Sequence, residues 1–162
     1  MRLSGYGITT DLPPGWEGRI TKRATPVLAH DGRIGPRGAP GEVPRPVVHL
    51  ANFALPEQRG DFGSGAVDLM GSGHVFMALF EHGAGSVGQA LFAADGLPVL
   101  RPRMFDPSGL QKVIPGQAGC QRWFTTAGRA FCLYVVLGRH AEAPALTTKA
   151  NATLAATRIE AP

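Results

Sequence analysis

The chain is poor in several residue types on which whole classes of protein depend. Its 162 residues include two cysteines, two tryptophans and three lysines, and charged residues make up 17%. Two thiols cannot form a disulfide framework. The apolar run Phe131–Leu137 is far shorter than the roughly twenty residues that a membrane-spanning helix needs, and no apolar segment suited to export follows the first residues. We therefore expect a soluble, cytoplasmic protein with no membrane span.

The sequence is instead rich in apolar residues and in arginine. Hydrophobic residues make up 44% of the chain, which excludes a wholly disordered protein. The length allows a single domain spanning 1–162. Thirteen of the 16 basic residues are arginine and the net charge is +4. This composition is typical of a GC-rich genome, but arginine also suits carboxylate and phosphate ligands. Because the arginines are scattered, with no basic helix or aromatic–basic array, we expect no nucleic-acid partner.

The order of the apolar segments predicts an α+β fold. Strands are followed by a hairpin and then by an amphipathic helix that begins at Pro144. This order favours an antiparallel β-sheet of about six to seven strands with the C-terminal helix packed on it. The first strand is expected to turn at Pro13-Pro14-Gly15 and return from Trp16 as its hairpin partner. The predicted strands are 5–12, 16–23, 47–55, 75–81, 119–127 and 130–138. Because 75–81 is apolar on both sides, it is predicted to be a central strand.

Helical elements are expected between and after these strands. Short helical turns are predicted at 66–70 and 89–93, and Asp106 is expected to cap another that begins at Pro107 and runs to about Lys112. In the closing helix, Leu146, Ala150 and Leu154 recur at helical spacing.

A long segment at 24–46 interrupts this pattern. Nine of its 23 residues are glycine or proline, and it has no periodic apolar pattern. Loops of this length are uncommon in compact domains and are usually functional or mobile. We interpret 24–46 as a surface loop rich in glycine, proline and arginine.

The two cysteines flank the predicted hairpin. If the turn is Gly128-Arg129, Cys132 lies opposite Thr125, and if the turn is Ala127-Gly128, it lies opposite Trp123. In both registers Cys120 is three to five residues away along the ladder, about 10–16 Å at ~3.3 Å per residue. A disulfide bridge needs Cα atoms within about 7 Å. Both cysteines are therefore predicted to be free thiols.

One glycine motif resembles a dinucleotide site. The residues from Gly83 to Gly88 fit G-x-G-x-x-G and follow an apolar strand. However, Glu81 would repel the pyrophosphate, the helix predicted after the motif is too short for a crossover, and Pro102 interrupts the expected second strand. Nucleotide binding through this segment is therefore the least favoured function. No metal-ligand spacing and no catalytic pairing stands out, so we expect no metal, no cofactor and no catalytic residue.

The remaining candidates are arginine and aromatic residues, which are the commonest anchors of interfaces. Two hypotheses follow: a non-catalytic binding or assembly module with a protein partner, and a small enzyme that clamps an anionic substrate with Arg101, Arg103 and Arg122. Strand alternation separates Arg122 from Trp123, so only one of these two can face the core. The predicted binding residues are Arg19, Arg101, Arg103, Arg122 and Trp123.

Both ends of the chain resemble PsbP-like domains. Gly5-Tyr6-Gly7-Ile8 followed by Leu12-Pro13-Pro14-Gly15-Trp16-Glu17 is similar to their opening, in which a strand leads through Pro-Gly into a tryptophan. The close is also similar, with a hairpin, a helix through 150–154 and a short strand at 158–159. The stretches 116–119 and 128–138 resemble uncharacterised actinobacterial proteins. The resemblance implies a PsbP-like fold and a binding or assembly role, and it brings no catalytic residue.

Overall fold

The computed structural model describes residues 1–23 and 44–162, and between them the backbone of two short strands at 27–28 and 34–35. The described strands are β1 Arg2–Gly5, β2 Ile8–Asp11, β3 Glu17–Arg23, β4 Val27–Leu28, β5 Ile34–Gly35, β6 Arg45–Ala51, β7 Val75–Glu81, β8 Ala118–Thr126, β9 Arg129–Leu137 and β10 Thr157–Ile159, and the helix α1 is Ala143–Ala155. All their ladders are antiparallel. The predicted α+β class is confirmed.

The strands form two main sheets where the sequence predicted one. One sheet has three strands in the order β1-β2-β10, and the other has five in the order β3-β6-β7-β9-β8. The predicted first strand is itself a hairpin, because Tyr6 and Gly7 adopt φ values of 53° and 72° and reverse the chain. A residue other than glycine, asparagine or aspartate rarely occupies this left-handed region. The predicted pairing of 5–12 with 16–23 was therefore wrong, and β3 pairs with β6.

The centre of the five-stranded sheet agrees with the sequence pattern. β7 lies third in the sheet and its side chains are buried on both faces, as its unbroken apolar run predicts. The β8–β9 turn is Ala127-Gly128, which places Trp123 opposite Cys132 and Cys120 opposite Val135. The two cysteines are three ladder positions apart and belong to cores on opposite faces, so both are free, as predicted.

Both faces of the five-stranded sheet are covered. On one face, α1 packs through Leu146, Ala150 and Leu154, next to the three-stranded sheet, which contributes Ile8. The helix and its buried face confirm the predicted amphipathic pattern. On the other face lie loop residues, among them Phe53, Phe62, Val67 and Ile114. Over the residues that the structure describes, the five-stranded sheet therefore has no broad open face on which a partner could lie, and its accessible parts are the edges.

The connections contain short 3-10 helices. Three of them, Val67–Leu69, Ala90–Phe92 and Pro107–Gly109, fall at predicted helical turns. Asp106 caps the last by accepting a hydrogen bond from the Ser108 amide at 2.7 Å, as predicted. This helix ends at Gly109 instead of near residue 112, since Leu110 is already extended, with φ of −91° and ψ of 139°. None of the helices in the described ranges is long and apolar enough to cross a membrane.

The predicted loop 24–46 falls mostly outside the described residues. Within it, Val27–Leu28 and Ile34–Gly35 pair as an antiparallel ladder of two residues per strand. Arg45 and Pro46 belong to β6, so the predicted end of the loop is two residues too late.

Candidate functional site

Three of the predicted site residues lie on β8 and on the segment 95–106, which is bridged to β8 at both ends. The bridges pair Asp95 with Thr125 and Asp106 with Gly119. Arg122 lies on β8 between these two bridges, and Arg101 and Arg103 lie on the segment between its two anchors. The fold thus places the three arginines on this strand and on the segment anchored to it, although Arg122 lies well beyond that segment in the sequence. We call Arg101, Arg103 and Arg122 the β8-edge surface.

The backbone that carries Arg101 is firmly held. The side-chain amide of Asn151 on α1 accepts a hydrogen bond from the Leu100 amide at 2.8 Å and donates one to the Leu100 carbonyl at 2.9 Å. Leu100 and Phe105 are buried in the core, one on each side of the 3-10 helix Pro102–Met104. The arginines of this segment are exposed on a backbone fixed at both ends.

The charges of the β8-edge surface are not neutralised by nearby ion pairs. Within the described ranges, no ion pair involves any of its three arginines. The Asp106 carboxylate accepts hydrogen bonds from the Ser108 amide and hydroxyl, and these bonds lower the pKa of Asp106. Guanidinium groups exposed in this way can form bidentate contacts with carboxylates or phosphates.

An apolar depression of about 260 Å³ lies next to this surface. Its lining includes Leu97, Pro98 and Val99, and Leu154 and Ala155 of α1. Arg101 follows Val99 by two residues in the sequence. Val99 is 72% exposed. A partner that contacts both features would meet an apolar patch bordered by positive charge, which is the common anatomy of a protein interface.

The remaining predicted site residues lie elsewhere. Trp123 is half-buried on the face opposite α1, next to Cys132, whereas Leu154 packs on the helix side. Arg19 is exposed on β3, at the other edge of the five-stranded sheet. Four strand spacings of ~4.8 Å separate β3 from β8, so Arg19 lies about 19 Å from the β8-edge surface. The structure does not join Arg19 or Trp123 to the other three residues.

A buried ion pair that the sequence did not suggest lies where the two sheets meet. Arg129 donates from Nε and Nη2 to the two carboxylate oxygens of Glu81, at 3.1 and 2.7 Å. Its remaining N–H groups reach the carbonyls of Tyr6, Gly7 and Glu160 in the three-stranded sheet. Both ionic side chains are 5% exposed. Glu81 is therefore neutralised by Arg129, and it does not act as the free repelling charge that we inferred beside the glycine motif.

A second cluster lies under β3. The Arg59 Nε donates to His49 Nδ1 at 2.9 Å, so His49 must accept at this atom and donate from Nε2 to the Asp61 carbonyl at 2.7 Å. His49 is thus held neutral, and burial lowers its pKa. Arg19 is its cross-strand neighbour. The only sequence signal for this cluster is a histidine inside an apolar strand.

The nucleophilic and metal-binding side chains show no catalytic arrangement in the part of the chain that the structure describes. Burial raises the pKa of both thiols, that of Cys132 to about 12, so neither thiolate forms readily. No three histidine, cysteine, aspartate or glutamate side chains converge on a metal position among the described residues.

The glycine motif forms a 3-10 helix, Ala84–Ser86. The amides of Ser86 and Val87 donate within this turn, to Gly83 and Ala84, so they do not point to a ligand. Within the described ranges, the chain after the motif continues in 3-10 turns and reaches β8 without a parallel strand.

Comparison of the chain with protein-family models, with curated proteins and with solved structures gives no match.

Proposed function

We propose that this protein is a non-catalytic binding or assembly module that holds an acidic protein partner at the β8-edge surface. The observation that supports the proposal is the placement of Arg101, Arg103 and Arg122 on β8 and on the segment bridged to it, exposed and outside the ion pairs of the described residues. Arginine is enriched among interface hot spots because its fork binds carboxylates in a fixed geometry.

The fixed backbone and the adjacent depression support a protein partner. Because Asn151 and the buried Leu100 already hold the segment, binding requires little ordering of the chain. The depression beside Val99 offers an apolar contact next to the charges. A folded partner with an apolar residue bordered by carboxylates fits this combination, and a nucleic acid fits it less well.

The alternative is a small enzyme that binds an anionic substrate with the same arginines. Such an enzyme needs a reacting group near the clamp. Cys120 and Cys132 are buried with raised pKa values. These features favour the binding module. A nucleotide site at 83–88 is favoured least, because the Ser86 and Val87 amides already donate within the turn and the chain that follows forms no crossover helix.

Two further parts of the proposal rest on the sequence. We infer a PsbP-like fold from the resemblance at both ends of the chain, and the α+β architecture with its C-terminal helix is compatible with it. We also propose a cytoplasmic location. An assembly role in the cytoplasm is the function that these inferences support together.

The experiment is copurification from the native host with a tagged chain in three forms. These are the wild type, Arg122→Glu, and the control Arg19→Glu, which reverses an exposed charge at the opposite edge. An acidic protein recovered with the wild type and with Arg19→Glu, but lost with Arg122→Glu, would support the proposal. Recovery of a small organic anion would support the enzyme, and equal losses with both variants would contradict a surface at the β8 edge.

A further inference from the structure

A crevice of about 250 Å³ lies where the Tyr6-Gly7 turn of the three-stranded sheet meets the ends of β3 and β6. Its lining includes Tyr6, Lys22, Arg45, Glu81 and Arg129. At about 30 Å³ per water molecule, this volume corresponds to about eight waters. The crevice is therefore smaller than a typical site for a drug-sized ligand, and it suits a compact molecule.

The two charges at the floor of the crevice, those of Glu81 and Arg129, are paired with each other. A guanidinium has five N–H donors, and those of Arg129 are directed at the Glu81 carboxylate and at the carbonyls of Tyr6, Gly7 and Glu160. Arg129 thus has no donor left for a ligand, and the charge of Glu81 is compensated.

The rim of the crevice carries two basic side chains, Lys22 and Arg45, together with Ala161 and Pro162. Lys22 is exposed and its Nζ lies 4.7 Å from the centre of the Tyr6 ring. Arg45 is one-third exposed, and its Nη1 is 3.5 Å from Glu81 Oε1, at the outer limit of a hydrogen bond. Among the described residues, the structure gives Arg45 no second side-chain bond.

The backbone of Tyr6 adopts a conformation that its side chain does not favour. Tyr6 has φ of 53° and is 51% exposed, at a turn position where asparagine, aspartate or glycine is preferred. The strained turn is held from below, because Arg129 donates to the Tyr6 and Gly7 carbonyls. Strained residues held in this way cluster at ligand sites, and here the strain places an aromatic ring at the mouth of the crevice.

We propose that this crevice binds a small organic or inorganic anion, a compact carboxylate or phosphate, with Lys22 and Arg45 as its counter-charges and Tyr6 as one wall. The site is separate from the β8-edge surface, and it holds even if that surface binds no partner. Its function is recognition, since the proposal contains no chemical step.

The first test is calorimetric titration of the full chain with inorganic phosphate and, separately, with malonate, at constant ionic strength. The double variant Lys22→Met/Arg45→Met should bind the better probe at least about tenfold more weakly, because two charge-assisted contacts are lost. The control Arg139→Met removes an exposed charge just beyond the end of β9 opposite to Arg129, away from the crevice, and should bind as the wild type does. The better probe identifies the ligand as a phosphate or a carboxylate. Equal affinities in all three proteins, or no binding of either probe to the wild type, would overturn the proposal.

The second test separates the Tyr6 side chain from its backbone. Tyr6→Asn relaxes the turn, so it should raise the melting temperature while weakening binding of the same probe by about threefold or more, because the aromatic wall is lost. A variant that is more stable and binds as tightly as the wild type would show that the strain has no role in ligand binding, and it would overturn this part of the site.

Discussion

The buried Arg129 and the exposed arginines of the β8-edge surface differ in what the fold places around them. At the crevice floor, Arg129 is 5% exposed and directs its donors at Glu81 and three carbonyls. At the β8-edge surface, Arg101, Arg103 and Arg122 are exposed and outside the ion pairs of the described residues. The same residue type therefore joins two sheets in one place and remains available to a partner in the other. The arrangement of acceptors around an arginine indicates its role better than its presence in the sequence does.

Removing the buried arginine should have the largest effect on stability. Arg129→Met leaves the Glu81 carboxylate buried without its partner, and losing one member of a buried pair typically costs about 3–5 kcal/mol. We expect the free energy of unfolding, measured by urea denaturation, to fall by about this amount.

A double variant separates the effect of the unpaired Glu81 carboxylate from the effect of losing the Arg129 hydrogen bonds. Glu81→Leu/Arg129→Met removes both charges, and we expect it to be more stable than Arg129→Met alone, since no unpaired charge remains buried. If the two variants were equally unstable, the main contribution of Arg129 would be its hydrogen bonds to the three-stranded sheet.

Packing at the same junction can be tested at Gly18, where the two sheets approach each other. A Cβ atom at this position would lie 2.7 Å from Leu3 Cδ2, 2.9 Å from Leu50 Cδ2 and 3.0 Å from Leu12 Cδ1. We expect Gly18→Ala to cost about 1–3 kcal/mol through overpacking. The matched control is Gly83→Ala, where a Cβ would meet no atom within 4 Å and φ is −60°. The control should be neutral or stabilise the fold by up to about 1 kcal/mol, and comparable losses in both would argue against close packing at Gly18.

The His49 cluster predicts a smaller, pH-dependent effect. Burial lowers the pKa of His49 from 6.5, so the unfolded chain binds the proton first as the pH falls. Stability should therefore decrease as the pH falls below about 6.5. Burial also lowers the pKa of His82, which contributes in the same direction. Unfolding measured between about pH 7.5 and pH 5 should show a weaker decrease in His49→Gln than in the wild type. An unchanged slope would mean that another group is responsible.

Local patterns predicted much of the fold. The unbroken apolar run of β7 indicated a central strand, the Asp106-Pro107 pair indicated a capped turn, and the spacing of Leu146, Ala150 and Leu154 indicated the closing helix. These features depend on residues near one another in the chain.

Features that depend on long-range pairing were not predictable. The turn at Tyr6 uses a backbone conformation that its side chain does not favour. The sequence pattern therefore predicted one continuous first strand, and it predicted the wrong partner for the strand that follows. The Glu81–Arg129 pair joins residues 48 apart. A weak signal existed, since both charges stand at the ends of apolar strands, but their register could not be known from the sequence.

The candidate site was predictable only as a set of residue types. Residue type alone made Arg19 and Arg122 equally good candidates for a binding site. The strand order places them at opposite edges of the five-stranded sheet. Arg101 and Arg103 join Arg122 because two backbone bridges hold their segment against β8. No local pattern in the sequence contains these bridges.

The smallest expected effect on stability belongs to the β8-edge surface, and it accompanies the largest expected effect on binding. Exposed charge changes usually alter stability by less than about 0.5 kcal/mol, so Arg122→Glu should melt close to the wild type. The most direct measurement is the affinity of the recovered acidic partner for the wild type, Arg122→Glu and Arg19→Glu, with the melting temperature of each. We expect Arg122→Glu alone to lose about tenfold or more in affinity. An Arg122→Glu variant that binds normally, or one that melts far below the wild type, would contradict a free binding surface at this edge.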